Sequence, residues 1–150
     1  MTAPAKLNTI LIAEDDSDDR LLAEDALREC GINADLRFVT DGVELMDYLN
    51  GRNKYRMPGG APKPSLIILD LNMPRKDGRE ALKEIKADSA LQKIPVVIMT
   101  TSTADNDIGQ AYGLGANSFI SKPVAFDKLV SIMKSIGEYW FQVVMLPYRV

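Results

Sequence analysis

The stretch Leu66-Ile67-Ile68-Leu69 decides the fold of this chain, and an acid, Asp70, follows it directly. The stretch is apolar without alternation, which is typical of a strand that helices cover on both faces of a parallel sheet. The run from Pro95 to Met99 is similar, and its proline stands at the first position, where a strand tolerates it. Two such strands predict the centre of a parallel sheet.

Strand and helix patterns alternate along the rest of the chain. The β-rich run from Thr9 to Ala13 precedes an apolar helix pattern that Ser17 can cap and Gly31 ends. Further strands and helices are predicted at 36–38, 43–49, 78–85, 108–112, 118–121 and 123–140, with a polar surface excursion rich in Gly and Pro at 50–65. Five successive βα units predict an α/β fold, a doubly wound parallel sheet with helices on both faces.

Length and composition indicate one domain over residues 1–150, with a core at about 7–139 and an apolar tail at 140–150. Eighteen basic and 21 acidic residues without a Lys/Arg-rich run argue against a nucleic-acid partner. Since no apolar run approaches the ~20 residues that span a bilayer, and no signal peptide is evident, we expect a cytoplasmic protein without a membrane partner. Cys30 is predicted to be a buried thiol.

Polar residues that could carry chemistry follow four of the predicted strands. Ligands of doubly wound sheets bind at the carboxyl ends of the strands. Crowded carboxylates repel one another unless a cation compensates, and an all-oxygen set without histidine favours Mg²⁺. A carboxylate can also attack phosphorus, while an ammonium and a hydroxyl neutralise the charge of the phosphoryl group. The residues at this edge are Glu14, Asp15, Asp70, Asn72, Thr100, Thr101 and Lys122.

Each of these residues also has a simpler structural interpretation. Acids after a strand often only begin a helix, which is the role we expect for Asp16, Asp18 and Asp19. Asp77-Gly78 by itself indicates a turn. The functional interpretation depends on the convergence of several residues.

The string Leu69 to Gly78, Leu-Asp-Leu-Asn-Met-Pro-Arg-Lys-Asp-Gly, resembles the receiver domain of two-component response regulators. Three further features fit the same family: the upstream pair Glu14-Asp15, Thr100 after strand four, and Lys122-Pro123 after strand five. The resemblance covers about residues 7–139. It implies a flavodoxin-like five-stranded sheet in the order 2-1-3-4-5. It also implies that Asp70 is a phosphoacceptor that takes part in its own phosphorylation and dephosphorylation, and that the protein is not an enzyme with a separate substrate.

The resemblance implies a role for each remaining site residue. Glu14, Asp15, Asp70 and the backbone carbonyl of Asn72 would hold Mg²⁺, with Glu14 acting through a water. Thr100 and Lys122 would contact the phosphoryl oxygens, and Thr101 would narrow access to them. Thr100 and Phe119 would form the conformational switch, although tyrosine is commoner than phenylalanine there. Asn72 and Ser102 fall where the family tunes the lifetime of the phosphoaspartate.

The implied partner is a sensor histidine kinase. The chain resembles stand-alone regulators paired with bacterial phytochromes in its long excursion, Trp140 and Leu146-Pro147. Several of these regulators dimerise through their last helices and tail. We therefore expect a homodimer with Trp140, Phe141, Val144 and Leu146 at its interface. Packing of this tail onto its own core is the alternative.

Two other functions stay open at this stage. One is a receiver-like binding module that works without phosphorylation. The other is a phosphohydrolase of the haloacid dehalogenase type, which usually has a second acid two positions after its nucleophile, where this chain has Asn72.

Overall fold

The computed structural model describes residues 8–58, 60–101 and 104–147. Ser102, the predicted start of the core at residue 7 and the tail residues 148–150 lie outside the described residues. Within the described ranges, no helix is long and apolar enough to cross a membrane.

Five parallel strands form one sheet in the order β2-β1-β3-β4-β5. Each strand is followed by a helix, so the predicted doubly wound α/β fold and its strand order are confirmed. The strands are β1 (Asn8–Ala13), β2 (Ala34–Val39), β3 (Leu66–Leu69), β4 (Val96–Thr100) and β5 (Ser118–Ser121). The helices are α1 (Ser17–Glu29), α2 (Gly42–Asn50), α3 (Gly78–Ala87), α4 (Asp105–Gly113) and α5 (Phe126–Glu138).

The sheet separates two hydrophobic layers. Successive strand side chains point to opposite faces, so Ile10 and Ile12 pack with α1 and α5, whereas Leu11 and Ala13 pack with α2, α3 and α4. All four residues of β3 are buried, as its uninterrupted apolar sequence predicts. The arrangement leaves the carboxyl ends of the strands together at one edge of the sheet.

Local details at the helix ends differ from the sequence predictions. Asp16, and not Ser17, caps α1, because its carboxylate accepts hydrogen bonds from the backbone N–H groups of Asp18 and Asp19. Cys30 follows the last turn of α1 and is half-buried, so it is less buried than we predicted. Helix α5 begins at Phe126, three residues beyond Pro123.

The excursion between α2 and β3 is anchored to α2. The Tyr48 hydroxyl donates a hydrogen bond to the Pro62 carbonyl at 2.7 Å, and the Tyr55 hydroxyl donates one to Glu44 at 2.8 Å. Lys54 also pairs with Glu44, which is 9% exposed. The described part of the excursion is therefore held to α2 by Tyr48 and by one buried acid, Glu44.

The tail divides between packed and exposed side chains. Residues 139–143 continue α5 as a π-helical turn, in which Trp140 and Phe141 are half-buried against the layer formed by α1 and α5. Leu146 is 6% exposed, whereas Val143 and Met145 are 70% and 92% exposed. Part of the tail thus packs on its own domain, and an apolar part faces outward.

Candidate functional site

Backbone hydrogen bonds of the sheet fix the residues at its carboxyl edge. The N–H of Glu14 donates to Val39 of β2, and the N–H of Asp70 donates to Ala13 of β1. The N–H of Lys122 donates to Thr100 at 2.8 Å. The ladder therefore extends past the strands, and the functional side chains begin from rigid positions.

The Asp70 carboxylate is held on both of its oxygens. The Thr100 hydroxyl and the backbone N–H of Asn72 donate to Oδ1 at 2.9 Å and 3.0 Å. The Lys122 ammonium donates to Oδ2 at 2.8 Å. Asp70 is 7% exposed, so a nearly buried carboxylate is oriented by three donors from three different strand ends.

Lys122 contacts three carboxylates. Besides Asp70, its ammonium pairs with Glu14 and with Asp19, the latter at 3.0 Å. Burial alone would lower the pKa of Lys122, but the hydrogen bonds to Asp70, Glu14 and Asp19 outweigh it and raise that pKa above its usual value. Lys122 is therefore a permanent positive charge beside Asp70.

The acids outnumber this one ammonium. Oxygens of Glu14, Asp15 and Asp70 all lie within 4.8 Å of one another. Burial, with a smaller contribution from the Asp70 charge, raises the pKa of Glu14 to about 7 despite the hydrogen bond from Lys122. Three convergent carboxylates without nitrogen or sulfur donors suit a hard divalent cation such as Mg²⁺ or Mn²⁺. The residues present therefore fit the predicted metal.

Arg20 fixes the loop that carries the acid pair. Its Nη1 donates to the carbonyl oxygens of both Glu14 and Asp15, each at 2.9 Å. The N–H of Asp16 donates to the Glu14 carboxylate at 3.2 Å. These contacts hold the turn between β1 and α1, so Asp15 stays beside the site although it is exposed.

Gly78 allows α3 to approach the backbone of Asp70. A Cβ at Gly78 would lie 2.3 Å from the Asp70 carbonyl oxygen and 2.7 Å from the Leu71 Cα. The Gly78 N–H donates to the Leu71 carbonyl at 2.9 Å, and the Asp77 side chain caps α3. The Asp77-Gly78 pair is thus more than a turn signal, because a larger residue would push α3 away from the site.

The predicted switch residues lie at the adjoining edge of the sheet. Thr100 is fully buried, and its hydroxyl is already within hydrogen-bond distance of Asp70. Phe119 is half-buried, and its N–H donates to the Tyr112 hydroxyl of α4 at 3.1 Å. Thr101 is exposed, and the described residues include no hydrogen bond between it and Asp70.

Sequence reasoning found most of this site but missed Asp19, Arg20 and Gly78. Asp19 was assigned only to the first turn of α1, where it does lie, yet it also contacts Lys122. The sequence carries no local signal for this second contact, because the two residues are 103 positions apart. Arg20 acts through backbone carbonyls, for which the sequence carries no pattern.

Comparison with known proteins places the chain in a family. The model of the response regulator receiver domain matches residues 10–134. Response regulator Rcp1 of Synechocystis sp. is 37% identical over 138 residues, with 92% of each chain covered. The structure of its Mn²⁺-bound form superposes with a TM-score of 0.84, at 36% identity over 93% of this chain and 99% of that chain.

Two further solved structures are similar over nearly their whole length. The phosphorylated cyanobacterial phytochrome response regulator RcpA gives a TM-score of 0.87 at 39% identity, over 95% of this chain and 99% of that chain. Response regulator RPA3017 in red light signalling of R. palustris gives a TM-score of 0.88 at 37% identity, over 94% and 99%.

Proposed function

This chain belongs to the response regulator receiver family, and on that premise we propose that it accepts a phosphoryl group on Asp70 from a sensor histidine kinase. The observation that carries the proposal is the Asp70 carboxylate between the Lys122 ammonium and the Thr100 hydroxyl, with a metal-competent acid pair alongside. Phosphorylation would then change the affinity for a partner by repacking the region around β4 and β5.

The proposed reaction is a transfer between a phosphohistidine and a carboxylate. An Asp70 oxygen forms the new bond to phosphorus while the bond between phosphorus and the imidazole nitrogen breaks, and the imidazole leaves with the electron pair. Lys122 and Thr100 are placed to neutralise and to hydrogen-bond the phosphoryl oxygens. Since no proton must be removed from a carboxylate nucleophile, the absence of histidine from the chain is no obstacle.

We assign the divalent cation to Glu14, Asp15, Asp70 and the backbone carbonyl of Asn72, and propose that it is Mg²⁺. When bound, the cation would supply charge neutralisation for the phosphoryl group and for the crowded acids. The fit of the three carboxylates supports this assignment, and the Mn²⁺-bound form of Rcp1 is consistent with it. Thr101, which directly follows β4 and is exposed, remains our candidate for restricting access to the phosphoryl group.

Incubation with acetyl phosphate and Mg²⁺, followed by intact mass measurement, tests the proposal. We expect the mass to increase by one phosphoryl group, and we expect a chelator and the Asp70→Asn variant each to abolish the increase. Asp18→Asn, which removes an exposed acid from the same edge, should be phosphorylated like the wild type. A wild-type mass that stays unchanged with acetyl phosphate and with a partner kinase would favour the phosphorylation-independent binding module.

We further propose that the protein is a stand-alone cytoplasmic regulator whose kinase is a phytochrome. The support is its match over 99% of RcpA and RPA3017, whose names place them in phytochrome and red-light signalling. Phosphotransfer from a panel of purified, autophosphorylated histidine kinases tests this. A phytochrome kinase should transfer fastest at short times, and equal or faster transfer from unrelated kinases would refute the pairing.

We also propose a homodimer through the last helices and tail, with Trp140, Phe141, Val144 and Leu146 at or beside the interface. The exposed Val143 and Met145 on the same segment support an apolar contact surface. Changing both exposed residues to serine should lower the dimer fraction in sedimentation without affecting the monomer core. An unchanged dimer fraction, or a monomeric wild type, would leave the tail with only its packing role.

A further inference from the structure

We propose that Asp19 is a positioning residue, which holds the Lys122 ammonium in place for phosphoryl transfer to Asp70. The inference rests on the proposed function. Asp19 Oδ2 lies 3.0 Å from Lys122 Nζ, and the two side chains are 40% and 16% exposed. The two residues are 103 positions apart, so the contact joins α1 directly to the end of β5.

The argument begins with the hydrogen-bond capacity of the ammonium. A lysine ammonium has three donors, and Lys122 has three carboxylate partners, Glu14, Asp70 and Asp19. Phosphorylation converts Asp70 into an acyl phosphate, whereas Glu14 belongs to the acid cluster that suits a cation. Asp19 lies outside that cluster, so it is the acceptor that stays available to Lys122 throughout the reaction.

Asp19 is also rigid enough for this role. Its backbone N–H donates to the Asp16 cap at 3.0 Å, and Arg20 next to it is bonded to two loop carbonyls. Lysine, in contrast, carries its charge on a flexible four-carbon stem. A carboxylate fixed on the first turn of α1 restricts where that charge can lie, and thereby keeps it beside Asp70.

Asp19→Asn removes the charge while keeping the size of the side chain, and Asp18→Asn is its matched control. Asp18 lies in the same helical turn and is exposed, so its substitution removes an equal charge near the site. Any general relief of repulsion toward an anionic phosphodonor should therefore occur in both variants. We expect Asp19→Asn to be phosphorylated about five-fold more slowly than Asp18→Asn, as for the loss of one half-exposed ion pair.

The two variants are then compared in a Lys122→Met background, which removes the ammonium but keeps an apolar stem. If Asp19 acts through Lys122, the difference between the variants should disappear in that background. The inference would be overturned if the five-fold difference persists in the Lys122→Met background. It would also be overturned if Asp19→Asn and Asp18→Asn are phosphorylated at equal rates when Lys122 is unchanged. Both outcomes leave the proposed function intact as long as the wild type gains its phosphoryl group, and a wild type that gains none refutes both.

A spectroscopic measurement separates positioning from a loss of folding. The ¹H–¹⁵N signal of the Lys122 ammonium reports how tightly its hydrogens are bonded, and it requires no phosphorylation. Asp19→Asn should accelerate the exchange of these hydrogens with water by several-fold, and Asp18→Asn should leave it unchanged. Identical exchange in the two variants would refute the positioning role. If Lys122→Met reacts too slowly for its rate to be measured, this comparison of exchange rates is the deciding test.

Discussion

Substitution of Glu44 by glutamine should destabilise the protein at neutral pH and have progressively less effect in acid. Glu44 accepts hydrogen bonds from the Thr40 N–H at 2.7 Å and from the Tyr55 hydroxyl at 2.8 Å, and it pairs with Lys54. Burial would raise the pKa of Glu44, but the hydrogen bonds from Lys54, Thr40 and Tyr55 outweigh it and lower that pKa from 4.5 to about 2. The folded protein therefore stabilises the ionised form of Glu44.

The size of the effect follows from the shift in pKa. At about 1.36 kcal/mol per pKa unit, a decrease from 4.5 to about 2 corresponds to roughly 3 kcal/mol. The Lys54 side chain is 69% exposed, so solvent screens its contribution. We therefore expect a loss of about 1–2 kcal/mol in the free energy of unfolding for Glu44→Gln. Because the folded-state pKa is depressed, this contribution is complete above about pH 4.5 and is lost as the pH falls toward about 2.

Urea denaturation at several pH values measures this effect. At pH 7 the midpoint for Glu44→Gln should decrease by about 0.5–1 M urea, and the difference from wild type should shrink below about pH 4.5. Glu24→Gln is the control, since Glu24 forms an exposed pair with Arg28 and should change stability by only about 0.3–0.5 kcal/mol. A difference at pH 7 that matches the control, or one that grows in acid, would refute this account of the excursion.

Three further substitutions test the site and the tail. In urea denaturation, Gly78→Ala should lower the free energy of unfolding by about 1–3 kcal/mol, and it should also slow phosphorylation. Gly109 has open space around it, so Gly109→Ala should neither destabilise the protein nor slow its phosphorylation. Arg20→Gln should weaken Mg²⁺ binding several-fold in calorimetry, because the acid loop loses two anchors, and unchanged affinity would contradict that role. Leu146→Ala should lower stability by about 2 kcal/mol, whereas Met145→Ala should not, and equal effects would argue against a packed Leu146.

Much of the architecture could be predicted because its signals are local. The apolar runs of β3 and β4 indicate strands that are covered on both faces, and this burial is what the structure shows. The position of Asp70 at a strand end followed from the same pattern, because parallel strands bring their carboxyl ends to one edge. Residue order along the chain was therefore sufficient for these features.

Contacts between distant segments could not be read in the same way. The bond from Asp19 to Lys122 depends on how α1 lies over the sheet, and the bonds from Arg20 go to backbone carbonyls that every residue has. The choice of Asp16 over Ser17 as the cap shows that neighbouring candidates of similar propensity are separated only by backbone geometry. The division of the tail between buried Leu146 and exposed Met145 likewise depends on packing that has no local pattern.

The position of the acyl phosphate tests the central claim most directly. Protein that has been treated with acetyl phosphate and Mg²⁺ is reduced with borohydride, which converts a phosphorylated aspartate into homoserine, and is then digested and sequenced by tandem mass spectrometry. We predict homoserine at position 70 and at none of the other aspartates, including Asp15 beside it in the site. Homoserine at another position, or its absence from a chain that is folded and metal-loaded, would contradict the assignment of Asp70 as the phosphoacceptor.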